Sequence, residues 1–371
     1  MSGQQFVADR VKTIGTSGIR RIFDLGATLK EPIDLSIGQP DFNVPRNIKR
    51  AMVNAIEHDH NGYTVTRGIP QLRERIAAQL AEEFGWEPDL FVTSGVSGGL
   101  LLALLCCLNP GDEVLIGDPY FVSYNHLVAL AGGVPVAVDL YDDFQLHPER
   151  FANAVNHRTK AVIMCSPGNP TGVVYREEDV RAIAQLARGH GLLIVSDEIY
   201  CMLVYDGPNP SPVRFAPDRT LLLRGYGKSY GMTGLRLGYA AGPPDLIAQM
   251  AKLQQFTYVC APHPAQFGAL EAMSTDMSAQ IAAYRAKRDL VCRELEGAVE
   301  FVRPSGGFYV FPKAPASYPS ATQFVEAAIL RNLLTIPGEV FSARDTHFRI
   351  SYAAPDDKLR RGCEIIRALA S

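Results

Sequence analysis

The sequence predicts an α/β fold, with a mostly parallel central sheet in a large domain and a smaller α+β domain beside it. From about residue 90 onward, short apolar runs alternate with helix-like stretches, which is the pattern of a parallel sheet covered by helices. The pattern changes after about residue 275, and a chain of 371 residues exceeds the usual size of a single core. We therefore expect a large domain over residues 46–275 and a small domain over residues 1–45 and 276–371.

Seven apolar runs have the length and composition of buried strands. Each run is short and is bounded by turn-forming residues. The runs are LFVT (90–93), EVLIG (113–117), VPVAV (134–138), KAVIMCS (160–166), LLIVS (192–196), TLLLRG (220–225) and RLGYAAG (236–242). Because helices alternate with these strands, we expect parallel pairing through right-handed crossovers.

Helix-like stretches lie between several of these runs and again near the end of the chain. In REEDVRAIAQLARGHG (176–191), acidic residues crowd the first turn and basic residues the last, and Gly189 or Gly191 can end the helix. The other stretches are SGGLLLALLCCL (97–108), FVSYNHLVALA (121–131), PDLIAQMAKLQQF (244–256), residues 279–295, TQFVEAAILRNL (322–333) and residues 356–369. Residues 1–45 form short, turn-rich segments that we expect to pack against the C-terminal part.

The composition argues against several classes of protein. A net charge of −3 without a long basic run argues against nucleic acid or an anionic membrane as the main partner. The start, MSGQQFVADRVK, lacks the apolar stretch of a secretion signal, and LLLALLCCL (100–108) is too short to span a bilayer. The seven cysteines show no metal-site spacing and several lie in apolar runs, which indicates buried, reduced thiols in a cytoplasmic protein.

The stretch RGYGKSYGMTGLRLGY (224–239) contains a Gly-Lys-Ser like the end of a nucleotide-binding P-loop. A P-loop needs a glycine five residues before Gly227, but that position is Leu222. Lys228 is therefore either an ordinary lysine in a glycine-rich turn or a residue with covalent chemistry. The residues that the fold brings near it decide between these readings.

Polar residues follow several of the predicted strands. In an open parallel sheet, ligands bind beyond the carboxyl ends of the strands. The residues at this edge are Asn169 in PGNPTG, Asp197 and Tyr200 in DEIY, Lys228, the helix start SGVSGG (94–99), and Arg236 eight residues past the lysine. Taken singly, they are a turn, a helix N-cap, a helix start and a surface ion-pair partner. Their joint occurrence at one edge instead predicts a binding site.

This set of residues fits pyridoxal 5′-phosphate (PLP). The PLP aldehyde reacts with an amine, which Lys228 supplies, and the carboxylate of Asp197 would keep the ring nitrogen protonated. Asn169 and Tyr200 can donate hydrogen bonds to the 3-oxygen of the ring. The helix start and Arg236 offer N–H groups and a cation to the phosphate.

At this point the sequence resembles the class I/II aminotransferases, the aspartate aminotransferase family of PLP fold type I. The resemblance covers nearly the whole chain. It is carried by SIGQPDF (36–42), NGYTVTRGIPQLRERIA (61–77), SGVSGGLLLAL (94–104), NPGDEVLIGDPYFVSY (109–124), SPGNPTG (166–172), SDEIY (196–200), GKSYGMTGLRLGY (227–239) and FRISYA (348–353). The combination of NPTG, SDEIY and the interval from lysine to arginine is highly specific.

The resemblance implies further contacts to the cofactor. Phe121 stacks on one face of the ring, where the family more often has tryptophan or tyrosine. Val96, through its backbone N–H, and Ser97 contact the phosphate. Tyr63 reaches across the interface of a homodimer to the phosphate in the neighbouring subunit. Where the family commonly has a serine three residues before the lysine, this chain has Gly225, so we expect one phosphate contact fewer.

The resemblance also implies the substrate contacts. Arg349 clamps the α-carboxylate of the substrate, because its guanidinium pairs both carboxylate oxygens at once. The backbone N–H of Gly38 and the side chain of Asn169 lie near the same carboxylate. Lys228, Asp197 and Tyr200 are the expected catalytic residues.

We therefore expect a cytoplasmic, homodimeric enzyme of amino acid biosynthesis. It would move the α-amino group of an L-amino acid, aspartate-type or broad, to a 2-oxo acid such as 2-oxoglutarate by a ping-pong mechanism. A carbon–sulfur β-lyase on the same fold is the alternative. A non-catalytic ligand sensor would carry an added DNA-binding segment, for which the sequence has no signal.

No motif identifies the amino acid that the enzyme accepts. Arg20, Arg21 or Arg67 could receive an acidic side chain, and each could equally be a solvated charge. Resemblance in fold does not decide among aspartate, aromatic, alanine and methionine donors.

Overall fold

The structure is a computed structural model that describes residues 6–12, 14, 15, 18 and 29–371. Its helices within this part of the chain are α1 (Asp9–Lys12), α2 (Arg46–Glu57), α3 (Pro70–Phe84), α4 (Gly95–Cys107), α5 (Ser123–Leu130), α6 (Pro148–Ala154), α7 (Glu177–His190), α8 (Pro244–Thr257), α9 (His263–Ala272), α10 (Ser278–Leu295), α11 (Ala321–Leu330) and α12 (Asp356–Ala370). Its strands are β1 (Ile33–Asp34), β2 (Asp89–Thr93), β3 (Glu113–Asp118), β4 (Val134–Asp139), β5 (Thr159–Cys165), β6 (Leu193–Asp197), β7 (Thr220–Gly225), β8 (Gly238–Gly242), β9 (Tyr309–Val310), β10 (Leu333–Leu334), β11 (Ile336–Pro337) and β12 (Phe348–Ser351).

A seven-stranded sheet forms the centre of the molecule, in the order β2-β8-β7-β6-β5-β3-β4. Strands β4, β3, β5, β6 and β7 pair in parallel, so their carboxyl ends lie at one edge. Each of the seven apolar runs contributes a strand to this sheet. The prediction of an α/β protein with a mostly parallel central sheet is confirmed.

Strand β8 departs from the expected parallel pairing, because it runs antiparallel to both β2 and β7. Residues 226–237 join β7 to β8 and contain a single 3₁₀ turn, Thr233–Leu235, rather than a helix. Without a crossover helix the chain turns back beside the strand it has just left. The strand also begins at Gly238 rather than at Arg236, since Arg236 has a left-handed φ of 52°.

Two smaller sheets lie in the part of the fold built from the C-terminal residues. Strands β11, β12 and β9 form an antiparallel sheet, and β1 pairs in parallel with β10. The β1–β10 pairing brings residues 33–34 against the C-terminal part. Helix α7 ends at Gly191, which has a φ of 70°, so the later of the two candidate glycines stops the helix.

Helix α4 directly follows β2 and is buried along most of its length. Its leucines Leu100, Leu102 and Leu104 are at most 2% exposed, and the helix packs against β7, β8 and α8. This packing holds the N-terminus of α4 rigidly at the carboxyl edge of the sheet.

The seven cysteines are unpaired, and three of them, Cys165, Cys292 and Cys363, are buried. No helix in the described part of the chain is long and apolar enough to cross a membrane. Among the same residues, no cluster of three or more His, Cys, Asp or Glu side chains could hold a metal ion.

Candidate active site

A cavity of about 400 Å³ opens at the carboxyl edge of the central sheet. Its wall brings together ten of the eleven residues to which the sequence analysis assigned a site role: Gly38, Val96, Ser97, Phe121, Asn169, Asp197, Tyr200, Lys228, Arg236 and Arg349. Tyr63 is the exception, because it lies outside this wall and is 84% exposed. Residues that are up to 311 positions apart in the sequence numbering therefore meet in one cavity.

Asp197 is the last residue of β6 and is buried. The Tyr124 hydroxyl donates to its Oδ2 at 2.8 Å, and the backbone N–H of Ile199 donates to its Oδ1 at 3.2 Å. Burial raises the pKa of Asp197 to about 6, although these two hydrogen bonds and the charge of Lys228 act in the opposite direction. The carboxylate is therefore mostly ionised at neutral pH and is available to pair with a cation.

Lys228 lies three residues past the end of β7, and its Nζ donates to the carbonyl of Gly38. Burial lowers the pKa of Lys228 to about 8, and the positive charges of Arg349 and Arg236 add to this effect, while Asp197 opposes it. A substantial fraction of the amine is therefore neutral slightly above neutral pH. A neutral amine can act as a nucleophile or as a general base.

Arg349 on β12 is 1% exposed, and no carboxylate among the described residues forms an ion pair with it. Its Nη1 donates to Asn169 Oδ1 at 2.9 Å and its Nη2 to the carbonyl of Ser36 at 2.7 Å, while Nε has no hydrogen-bond partner in the part of the chain that the structure describes. The guanidinium lies 4.5 Å from the ring centre of Tyr309 and 4.8 Å from that of Phe341. A buried cation without an anion is costly, so this position is prepared for the carboxylate of a ligand.

Another part of the cavity wall is suited to a larger anion. Helix α4 begins there with Gly95, and Ser94 makes no side-chain cap within the described residues, so the first N–H groups of the helix have no side-chain acceptor at the cap. The guanidinium of Arg236 lies against this turn, since a Cβ added to Gly95 would come within 2.9 Å of Nη2. A helix N-terminus next to an arginine is a favourable site for phosphate.

Three polar side chains of the cavity wall form a hydrogen-bonded row that begins beside Arg349. Asn169 Nδ2 lies 3.5 Å from the Tyr200 hydroxyl, which lies 3.1 Å from the Tyr309 hydroxyl. The Tyr309 hydroxyl in turn lies against Gly38, where an added Cβ would come within 2.8 Å of it. The absence of a side chain at position 38 therefore leaves room for Tyr309 in the wall.

The sequence analysis missed Tyr124 and Tyr309. Tyr124 lies in the motif PYFVSY, three residues after Phe121, and this helical spacing could have placed both on one face. Tyr309 comes from a different sheet, on a strand that pairs with β12. No local signal in GGFYVF distinguishes it from a core tyrosine.

The structure also shows the surroundings of Arg67 and Gly225, which the sequence analysis discussed. Arg67 Nη1 pairs with both carboxylate oxygens of Asp89, at 2.6 and 2.7 Å, so this arginine is already neutralised. Arg20 and Arg21 lie outside the described residues. At Gly225, where the family commonly has a serine, an added Cβ would come within 3.0 Å of both Val96 and Ile199, so a larger residue would have to displace these side chains.

The residue types at this edge of the sheet are those that a phosphorylated aldehyde cofactor with a basic ring requires. The amine, the buried carboxylate and the anion site are all present in one cavity of suitable size, so the donor set fits PLP. The fold and the site thus define a PLP-dependent enzyme. The chain belongs to the family described as aminotransferase class I and II, whose sequence pattern matches residues 30–366.

The relatives agree with this assignment. The chain is 38% identical to the putative aminotransferase YugH of Bacillus subtilis, over 96% of both chains. It is 34% identical to a probable aspartate aminotransferase of Methanocaldococcus jannaschii, over 98% of this chain and 99% of the relative. A structure of Thermus thermophilus aspartate aminotransferase with maleate is 35% identical and covers all of both chains, with a TM-score of 0.94.

The predictions of an aminotransferase and of PLP as its cofactor are confirmed by these findings. They give no support to the alternative of a carbon–sulfur β-lyase. The roles of the individual site residues stay predictions.

Proposed function

We propose that this protein transfers the α-amino group of an L-amino acid, aspartate-type or broad, to a 2-oxo acid such as 2-oxoglutarate by a ping-pong mechanism. The observation that carries the proposal is Arg349, a buried guanidinium without a carboxylate partner among the described residues, in the same cavity as Lys228. An amino acid and a 2-oxo acid share an α-carboxylate, which one arginine can bind in both halves of the reaction.

The bound cofactor supplies an aldehyde that accepts the amino group and a ring that accepts electrons. Lys228 would hold the aldehyde end, and Asp197 would pair with the ring nitrogen and keep it protonated. Tyr200 and Asn169 would donate to the ring oxygen, and Phe121 would cover one face of the ring. Each of these side chains lines the cavity, which supports this assignment.

The proton transfer falls to Lys228. Arg349 binds the substrate α-carboxylate with help from Asn169 and the backbone N–H of Gly38, and so orients the substrate Cα toward the lysine. The lysine would then take the proton from Cα as a general base and, as a general acid, would give it to the cofactor carbon that carries the aldehyde. Its pKa of about 8 suits both directions near neutral pH.

The phosphate would be held at the start of α4. Val96 and Ser97 contribute the helix N-terminus, and Arg236 contributes a positive charge beside it. We assign the remaining phosphate contact to Tyr63 of the partner subunit.

A homodimer is supported by exposed apolar side chains near Tyr63. Val65, Phe256 and Val259 are exposed, and the Gln254 side chain bonds to the carbonyl of Thr66 at 2.7 Å, which joins the two segments that carry these residues. Clustered apolar side chains on a surface are typical of a protein–protein contact. We propose that a second copy of this chain covers them, in a cytoplasmic enzyme of amino acid biosynthesis.

The donor class is proposed from the relatives and from the cavity together. Relatives named as aspartate aminotransferases, and the Thermus thermophilus structure with the dicarboxylate maleate, favour an acidic donor. The cations that line the cavity in the described residues are Lys228, Arg236 and Arg349, and each has a proposed role already. An acidic side chain would therefore need a cation from elsewhere, which leaves room for a broad donor range.

A donor panel tests this function. The purified enzyme with PLP is mixed with aspartate, glutamate, tyrosine, phenylalanine, alanine or methionine and with 2-oxoglutarate, and the 2-oxo acid products are measured. We expect aspartate to be among the best donors, and a single donor without 2-oxoglutarate to convert the cofactor once and then stop. Continuous release of pyruvate, ammonia and a thiol from a β-thio amino acid such as cystathionine, without a 2-oxo acid acceptor, would instead establish a carbon–sulfur β-lyase.

A further inference from the structure

The residue after Asp197 faces the other side of the sheet. Asp197 lines the cavity, whereas Glu198 is absent from its wall and is 1% exposed. Glu198 Oε1 accepts hydrogen bonds from the hydroxyls of Ser196 and Ser211, at 3.0 and 2.6 Å. The chain thus buries a second carboxylate directly behind the one that serves the cofactor.

Arg224 is the cation that pairs with this carboxylate. It lies on β7, four residues before Lys228, and is 7% exposed. Its Nε and Nη2 donate to Glu198 Oε2 at 3.0 and 2.8 Å. Its Nη1 and Nη2 also donate to Glu83 in the last turn of α3, at 2.6 and 2.8 Å, where the Glu83 side chain is 35% exposed.

The ion pair joins the two strand ends that carry the chemistry. The backbone N–H of Glu198 donates to the carbonyl of Leu223 at 2.9 Å, so β6 and β7 are still paired at this level. The residue after Leu223 on β7 is Arg224, and its guanidinium bonds to Glu198 across the same two strands. Because Nε and Nη2 of Arg224 both donate charge-assisted hydrogen bonds to the single oxygen Oε2 of Glu198, they hold the two strand ends together.

We propose that Arg224 is a positioning residue of the amino-transfer site, which ties the strand ends of Asp197 and Lys228 together and cancels the charge of Glu198 behind Asp197. The inference rests on the proposed function, since it concerns the two residues assigned to the cofactor there. Burial is the main cause that raises the pKa of Asp197, and the charge of Glu198 adds to it. Without Arg224, the uncompensated Glu198 would make it harder for Asp197 to remain ionised.

Three variants test the proposal: Arg224→Met, Glu198→Gln, and the double variant. Each is purified with PLP, and the visible absorbance of the loaded enzyme is titrated with pH. Loss of a cation favours the protonated form of nearby groups. We therefore expect the pH midpoint of this absorbance change to be higher in Arg224→Met than in the wild type by about 0.5 pH units or more. Glu198→Gln should lower the midpoint, and the double variant should return it close to that of the wild type.

Kinetics provide the second readout. Misplaced strand ends disturb the chemical step more than substrate binding, so kcat of Arg224→Met should fall by about 10- to 100-fold with a smaller change in KM. The double variant should recover part of kcat, because it leaves no unpaired buried charge. If Arg224→Met does not fold, the difference between the pH midpoints of Glu198→Gln and the double variant measures the effect of the Arg224 charge instead.

Arg214→Met is the matched control. Arg214 also lies over the ring of Phe84, at 5.1 Å compared with 5.3 Å for Arg224, and donates to the backbone carbonyl of Glu83, but it is exposed and does not contact Glu198. Its replacement should leave both the midpoint and kcat unchanged. The proposal is overturned if folded Arg224→Met has the midpoint and kcat of the wild type, or if the double variant is as impaired as Arg224→Met in both.

The wild-type enzyme separates this result from the proposed function. If the wild type shows no amino transfer in the donor panel, the proposed function fails, whatever the variants show. If the wild type is active and neither the midpoint nor kcat changes in Arg224→Met, only the positioning role fails.

Discussion

At the scale of single residues, the site depends on the burial of ionisable groups, which shifts their pKa values. Burial lowers the pKa of Lys228 to about 8 and raises that of Asp197 to about 6. Between these two values the carboxylate is mostly an anion and the neutral fraction of the amine grows with pH, and above the pKa of Lys228 most of the amine is neutral. Burial lowers the pKa of Arg349, but an arginine is effectively always protonated in proteins, so Arg349 stays cationic. Each residue therefore has the protonation state that its proposed role requires.

Covalent capture of PLP by the cofactor-free protein should depend on the pKa of Lys228. Only the neutral amine attacks an aldehyde, and a lysine becomes neutral as pH rises through its pKa. The capture rate, followed by absorbance after mixing, should rise from pH 6 and level off above pH about 8. A midpoint near 10.5, the usual value for lysine, would show that the cavity does not perturb this amine.

Removing the hydroxyl of Tyr124 should weaken catalysis through Asp197. The Tyr124→Phe variant loses a 2.8 Å hydrogen bond to an ionised carboxylate, which is a bond of about 1.5–3 kcal/mol. Because that bond lowers the pKa of Asp197, the pKa should rise and the acidic limb of the pH–kcat profile should move to higher pH. We expect kcat at neutral pH to fall by about tenfold or more.

Tyr226→Phe is the control for this variant. The Tyr226 side chain is also buried, but its hydroxyl finds no hydrogen-bond partner among the described residues. Its removal should leave the pH profile in place. An equal shift in both variants would mean that Tyr124 acts through packing rather than through Asp197.

At the scale of structural elements, the site is assembled where turns follow buried strands. The turn PGNPTG follows β5 and binds the segment before β9, since the backbone N–H groups of Ser305 and Gly306 both donate to the carbonyl of Gly172 at 2.9 Å. This turn thereby connects Asn169 to Tyr309, which comes from the antiparallel sheet.

Replacement of Gly172 by alanine should destabilise the protein by about 2 kcal/mol or more. Gly172 has a φ of 69°, and an added Cβ would clash with the backbone carbonyl of Tyr309 and lie 2.7 Å from Pro304 Cβ. The free energy of unfolding is measured by denaturant titration. Gly189 lies in the last turn of α7, and no atom of the described residues lies within 4 Å of a Cβ added there. Gly189→Ala should therefore increase the free energy of unfolding by about 0.5–1 kcal/mol.

At the scale of the whole molecule, the proposed assembly completes the site. Tyr63 is exposed and lies outside its own cavity wall, so its proposed phosphate contact requires a second copy of the chain. We also propose a division into a large domain, residues 46–275, and a small domain, residues 1–45 and 276–371. In that division Arg349 comes from the small domain and Lys228 from the large one, so the cavity lies between them.

Hybrid dimers test whether Tyr63 acts across subunits. Lys228→Ala should bind PLP without turnover, and Tyr63→Phe should retain PLP less well during dialysis. In a hybrid of the two variants, the site that keeps Lys228 receives the Tyr63 of its Lys228→Ala partner. An equal mixture gives about half hybrids, each with one intact site, so activity at limiting PLP should recover toward about a quarter of the wild-type value after mixing and refolding. No recovery would contradict the crossing contact.

Much of the site could be predicted from the sequence, because its chemistry follows strand ends. Asn169, Asp197 and Lys228 come after consecutive parallel strands, whose carboxyl ends must meet at one edge. Helices α2, α3 and α9 were not assigned, and the antiparallel direction of β8 was not foreseen. The apolar pattern of β8 would be the same in a parallel and in an antiparallel strand. Only the short connection from β7 sets the direction of the strand.

The sequence by itself determined the α/β class, the cofactor and the residues that follow the strands, because apolar strand patterns and the turn residues after them involve neighbouring positions in the chain. Only the tertiary structure decided which groups Tyr124, Tyr309 and Arg224 contact, and the neutralisation of Arg67 by Asp89. The physical reason is that burial, pKa shifts and ion pairing depend on which side chains lie close together in the folded chain. The separation of two residues in the sequence does not give the distance between them in the fold.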